Sequence, residues 1–156
     1  MDKIISWTAV ILWMAVIFYF SHQPAAVSNE LSTRVTETIA EKVEKIAPNM
    51  EFNAGSLNHT VRKNAHFFNF FVLGMLVMFA LRRCGKFQGY RRIGIVLTIC
   101  ILYAVFDEVH QLFIPGRSAE IKDVLIDGAG ASVGVIVYLV IRWIFRKRRT
   151  GYGVSG

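Results

Sequence analysis

Residues 93–114 read IGIVLTICILYAVFDEVHQLFI, and the proline of Pro115 follows directly. The run is uncharged until Asp107, and it is long enough to cross a bilayer, which takes about 20 mostly apolar residues in a helix. It then ends in Asp107, Glu108, His110 and Gln111, so one segment contains both a membrane span and a cluster of chemically active side chains. Three more runs of the same kind flank it. Ile4 to Phe20 carries no charge, Ala65 to Leu81 is broken only by His66 and Asn69, and Val124 to Phe145 has Asp127 near its start. Over the whole chain of 156 residues, 54% are hydrophobic and the mean hydropathy is +0.43, which places it among membrane proteins. The expected fold is all-α: a polytopic membrane protein whose single domain, residues 1–156, is a bundle of four transmembrane helices. The first run is longer than a typical signal-peptide core and is expected to stay as an anchor.

Charge sets the expected direction. Cytoplasmic loops are rich in Lys and Arg. The loop after the second span carries Arg82, Arg83, Lys86, Arg91 and Arg92 with no acid, and the tail from residue 146 to 156 continues a basic run that begins at Arg142. With Lys3 this puts 11 of the 18 basic residues on one side, while every acid except Asp2 falls on the other. Both termini are therefore expected in the cytoplasm. The net charge of +7 sits in blocks beside apolar runs, a membrane-orientation pattern, and no nucleic-acid partner is expected. Two cysteines, Cys84 and Cys100, are too few for a disulfide framework.

The segment 21–61 then lies outside. Leu31, Val35, Ile39, Val43 and Ile46 recur every three or four residues, opposite Glu30, Arg34, Glu37, Glu41, Lys42, Glu44 and Lys45. This predicts an extracytoplasmic amphipathic helix between the first two spans. Ser28 or Asn29 would cap its start and Pro48 would stop it. It lies on the membrane surface, covers the bundle as a lid, or is an ordinary solvated connector. Asn53 to Asn58, with Gly55, reads as loop.

Four distant places thus deliver polar groups to one membrane depth: Ser21, His22 and Gln23; Arg62, Lys63, His66 and Asn69; Asp107 to Gln111 with Arg117; and Asp123 with Asp127. Arg62, His66 and Asn69 share a helix face, as do Asp107, His110 and Gln111. Asp123, Asp127, Gly130 or Ala131, and Gly134 form a third stripe, whose small residues allow close helix approach within the chain or in a homodimer. An intramembrane charge costs about 2.5–3.5 kcal/mol at a helix centre, so such groups pair or line a watery cavity. A salt-bridge network holding the helices together is one reading. Asp127, Gln111 and Asn69 taken singly fit it. Arg62, His66, Asp107, Glu108 and Arg117 as a set read as a site.

The motifs at 18–23 (FYFSHQ), 62–67 (RKNAHF) and 107–117 (DEVHQLFIPGR), followed by Asp123-Val124 and Asp127 to Gly130, resemble the VanZ-like family in order and over most of the chain. Asn69-Phe70 departs from the pattern, which has a glutamate and a tyrosine there, so position 69 is not a required acid. The resemblance implies a bacterial plasma-membrane protein. Some members of that family are linked to low-level resistance to teicoplanin and related lipoglycopeptides.

The residues suit a phosphorylated or glycosylated envelope lipid, or a lipid-linked precursor. Arg62 and Arg117 offer planar donor forks to phosphate oxygens, with Lys63, Gln111, Asp123 and Asp127 around them. His66, Asp107, Glu108 and His110 are the candidates for acid–base chemistry, His66 or Glu108 foremost. No GxSxG, HExxH, Walker or CxxC pattern is present, and no cofactor is named by the sequence. The polar residues have acceptable metal-ligand types but not the spacing, and no metal is expected. Enzyme and non-enzymatic binding or masking protein both stand. A small transporter is a third reading, weakened by the absence of an inverted repeat.

Overall fold

The computed structural model describes residues 2–44 and 54–151. The described residues form five helices and no strand: α1 (Asp2–Ser21), α2 (Ala25–Glu44), α3 (Ala54–Cys84), α4 (Gly89–Gln111) and α5 (Ile121–Gly151). Four of them contain stretches long and apolar enough to cross a membrane: Lys3–Ser21, Thr60–Cys84, Gly89–Gln111 and Ile121–Lys147.

The boundaries differ from the sequence expectation in ways that matter for the site. The third span ends at Gln111 rather than Ile114. Leu112, Phe113 and Ile114 bond back only three residues, to Val109, His110 and Gln111. The cause is Pro115, which disfavours helical geometry in the residue before it. α3 begins at Ala54, so residues 54–58 are helix and not loop. At 31 residues α3 is about 46 Å long, well beyond the roughly 30 Å hydrocarbon thickness. α5 has the same length and carries residues 146–151, expected as tail, as continued helix.

α2 also starts earlier than expected. Its first turn is closed by the bond from Ser28 N–H to the carbonyl of Pro24, so Pro24, and not Ser28 or Asn29, stands at the cap. Among the described residues of 21–61, the expected helix between the first two spans is present as α2. Of the expected apolar stripe, Val35 is half exposed, whereas Ser32 and Thr36 are buried. The side chains of Leu31, Ile39 and Val43, together with Lys45, Ile46 and Pro48, lie outside the described residues.

α3 is the axis of the bundle and packs against each of the other four helices. Its closest partner is α5. A methyl group on Gly130 would meet the carbonyl oxygen of Phe67, one on Gly134 that of Phe71, and one on Gly74 that of Ala131. The small-residue stripe of α5 is therefore occupied inside the chain, backbone against backbone. Phe70, Leu73, Val77, Val96, Cys100, Ala104, Ala131 and Val135 fill the core. Polar groups tie α1 into it: the Trp13 indole N–H donates to the carbonyl of Asn69 at 2.9 Å, and the Tyr103 hydroxyl donates to that of Met14 at 2.6 Å. Outward the helices present Ile5, Ile11, Leu12, Leu102, Phe106, Ile136 and Val140, an apolar exterior suited to lipid. Both cysteines are free thiols.

Candidate functional site

The four spans run alternately up and down, so the C-termini of α1 and α4 meet the polar first turns of α3 and α5 at one end. Between α4 and α5 the chain reverses at Ile114 to Arg117, where the Arg117 N–H bonds the Ile114 carbonyl at 3.1 Å. Pro115 fits the second position of such a turn, and Gly116, at φ +77°, supplies the left-handed geometry of the third. The Pro115 carbonyl accepts the N–H of Ala25 at 3.2 Å, which fixes the start of α2 on this turn.

The turn sends Arg117 back across the bundle. Its Nε donates to the Gln23 carbonyl at 3.0 Å, Nη2 to the Phe20 carbonyl at 3.2 Å and Nη1 to Oε1 of Gln111 at 3.1 Å. The last carbonyls of a helix lack intrahelical donors, and Arg117 serves one of them, Phe20, together with the Gln23 carbonyl just past the end of α1. Burial, and then the neighbouring Arg62, pull the Arg117 pKa below its ordinary value. The guanidinium remains charged at any physiological pH.

Asp107, only 1% exposed, is the hub beside it. Its Oδ2 accepts the Ser21 hydroxyl at 2.6 Å and the Gln111 amide at 3.2 Å, while Oδ1 has no hydrogen-bond partner. Ser21, Asp107, Gln111 and Arg117 thus form one continuous polar chain joining α1, α4 and the turn. Glu108, also buried, accepts the Glu120 backbone N–H on Oε1, which holds the lead-in to α5.

His110 does not join Asp107 and Gln111 on one face, as the spacing suggested. Residues 110 and 111 lie about 100° apart around a helix, and His110 turns to α1. There its Nε2 is 3.1 Å from Nδ1 of His22, with the two rings stacked and Phe18 against them.

Across the α3–α5 contact, Lys63 Nζ pairs with Asp123 at 3.1 Å and with Glu120 at 3.5 Å. His66 Nδ1 lies 3.8 Å from Oδ1 of the fully buried Asp127, an ion-pair distance rather than a hydrogen bond. Arg62, one helical turn before His66, has no hydrogen bond or salt bridge among the described residues. The backbone carbonyl of Asn69 receives Trp13, and its side chain faces the cavity described next.

That cavity, about 330 Å³, opens between α1, α2 and α3. Phe20, Val35, Val61, Ala65 and Phe68 give it apolar walls, and Arg62, His66 and Arg117 stand at its polar side. The same three residues reach a second, small pocket of about 40 Å³ bounded by Gln111, Gly116, Ser118 and Asp123. A space of that size holds a water-sized group. Sequence reasoning did not place Ser28, Ser32 or Val35 of α2 at this site, nor Glu120. The spacing of Ser28, Ser32 and Thr36, four apart on one face, was the available signal for α2; Glu120 left none. Among the described residues no three of His, Cys, Asp and Glu converge as a metal-binding group.

The sequence matches the family described as VanZ/LLP1 over residues 6–142. Neither a curated protein nor a solved structure matches the chain.

Proposed function

The chain belongs to the VanZ/LLP1 family, and from that premise we propose that it binds the anionic headgroup of a phosphorylated cell-envelope lipid in the cavity between α1, α2 and α3. The observation that carries this reading is the mixed character of one space: a cation without a protein partner among the described residues, Arg62, beside apolar walls of about 330 Å³ volume. Pockets for small amphiphiles are commonly of this size and lining. The headgroup phosphate sits at Arg62 and His66, and the chain leaves between Phe20, Val61 and Phe68 toward the lipid. By the positive-inside rule this end faces the outer leaflet of the plasma membrane, because the opposite end carries the basic clusters.

Binding fits better than catalysis. Of the groups suited to acid–base work, His66, Asp107, Glu108 and His110 each face a partner within the protein. Sequestering a lipid-linked precursor at the outer face would change what a lipoglycopeptide meets there, which connects the reading to the resistance seen in some VanZ-like proteins. The test is native mass spectrometry of lipids that co-purify with wild type and with Arg62→Ala, each shown to be helical by circular dichroism. A phosphate-bearing lipid present in the first and lost in the second is expected. Identical lipid profiles would remove the proposal.

A further inference from the structure

Asp and Glu are absent from the sequence between residues 52 and 106 and after residue 127. The parts of those segments around residues 79–92 and 138–151 build the end of the bundle opposite the candidate site. There α3 finishes with Arg82 and Arg83 in its last turn, α4 starts with Arg91 and Arg92, and α5 arrives with Arg146 and Lys147. Cations in a helix's last turn are favoured by the helix dipole, but the dipole does not explain a cleft. One of about 390 Å³ lies here, lined by Phe79, Arg82, Arg83 and Tyr138.

The two arginines are held in place at its rim. The Arg83 guanidinium carbon lies 5.0 Å above the centre of the Phe79 ring. Arg82 Nη1 donates to the Tyr138 hydroxyl at 3.4 Å, which leaves that hydroxyl its own proton to donate. The apolar part of the lining is Phe79, one turn nearer the middle of α3 than Arg83 and itself partly exposed.

We propose that this cleft is a binding site for the phosphate of an acidic phospholipid. Arg82 and Arg83 hold the phosphate oxygens, Tyr138 adds a neutral donor, and an acyl chain follows Phe79 and the α5 surface. Arginine's donor fork suits phosphate, and a basic cluster at this end of the bundle attracts an anion brought from outside the chain. Free phosphate offers the same oxygens but nothing to cover the exposed edge of Phe79, which favours the lipid. The site is at the opposite end of the molecule from the cavity assigned above and stands independently of it.

The test uses the full chain in detergent micelles, titrated with phosphatidylglycerol, phosphatidylcholine or inorganic phosphate and read by native mass spectrometry. Phosphatidylglycerol is expected to bind and phosphatidylcholine to bind at least about tenfold more weakly. The double variant Arg82→Ala with Arg83→Ala should lose about tenfold or more in phosphatidylglycerol affinity, as expected for lost charge-assisted hydrogen bonds. Lys86→Ala with Arg91→Ala removes the same charge from the same end and should change affinity by no more than about twofold. An equal loss in that pair would mean a diffuse field and overturn the proposal. So would equal binding of the two lipids, or displacement of phosphatidylglycerol by millimolar inorganic phosphate. If the double arginine variant does not fold, Tyr138→Phe decides: a loss of a few-fold supports the site, and unchanged affinity overturns it.

Discussion

The Ser21 hydroxyl reaches Asp107 across 86 positions of sequence and donates to it at 2.6 Å, in a place where both side chains are buried. A hydrogen bond to a buried carboxylate is stronger than a neutral one, and removing the donor leaves the acceptor underserved. Ser21→Ala is expected to lower stability by about 1–3 kcal/mol. Asp107→Ala should cost more, because Ser21 and Gln111 both lose their acceptor. Thermal unfolding in detergent measures this; a Ser21→Ala midpoint equal to wild type would contradict it.

Arg117 and Arg62 are predicted to part company. Arg117 is engaged at three nitrogens with protein acceptors, so Arg117→Lys cannot reproduce its contacts and should destabilise by about 1–3 kcal/mol. Arg62→Ala should leave the unfolding midpoint nearly unchanged and remove bound lipid. If the two variants behave alike in both assays, the division between a brace and a ligand-holding cation is wrong.

Glu108→Gln keeps an oxygen for the Glu120 N–H and is expected to keep both fold and lipid. Glu108→Ala should loosen the start of α5, visible as faster amide exchange around residues 120–123. Were Glu108 a catalytic acid or base, the glutamine variant would instead retain structure and abolish a measurable turnover of the lipid.

The α3–α5 contact tolerates no added side chain. Gly134→Ala is expected to cost about 1–3 kcal/mol through overpacking. Gly134→Leu should prevent the two helices from docking and yield misfolded protein. Gly94, with nothing near its missing side chain, is the control: Gly94→Ala should be neutral or slightly stabilising. Yields of monodisperse protein on size exclusion, with melting curves, check the series.

Much of this was legible in the sequence because two signals are physically strong. Long uncharged runs declare membrane spans, and polar groups inside them must converge or be lost, which brought Ser21, Arg62, His66, Asp107, Asp123 and Asp127 to one end. Helical spacing said less about who meets whom. Asp107, His110 and Gln111 cover an arc of a helix wide enough to face two neighbours, and the packing of α1 against α4 decided that His110 meets His22. The role of Arg117 was hidden because two of its three acceptors, the carbonyls of Phe20 and Gln23, are backbone groups that leave no mark in residue identity. The start of α3 at Ala54 was obscured by Gly55, whose penalty in a helix interior is small at a first turn. Of the expected α2 stripe only Val35 has a described side chain, and it is exposed, while the buried groups beside it, Ser32 and Thr36, are hydroxyls that do not register as a hydrophobic stripe.

The joint between Gly130, Gly134 and the backbone of α3 also has a consequence for how the molecule is made. α5 leaves the ribosome after the other three described spans, and it carries Asp123 and Asp127. Until it docks, Lys63 lacks Asp123 and His66 lacks Asp127, so the site is complete only once α5 has inserted. A chain that ends before residue 120 would keep three spans and the arginine turn, yet leave the ionic partners of α3 unmade, and quality-control proteases would be expected to remove it faster than the full chain.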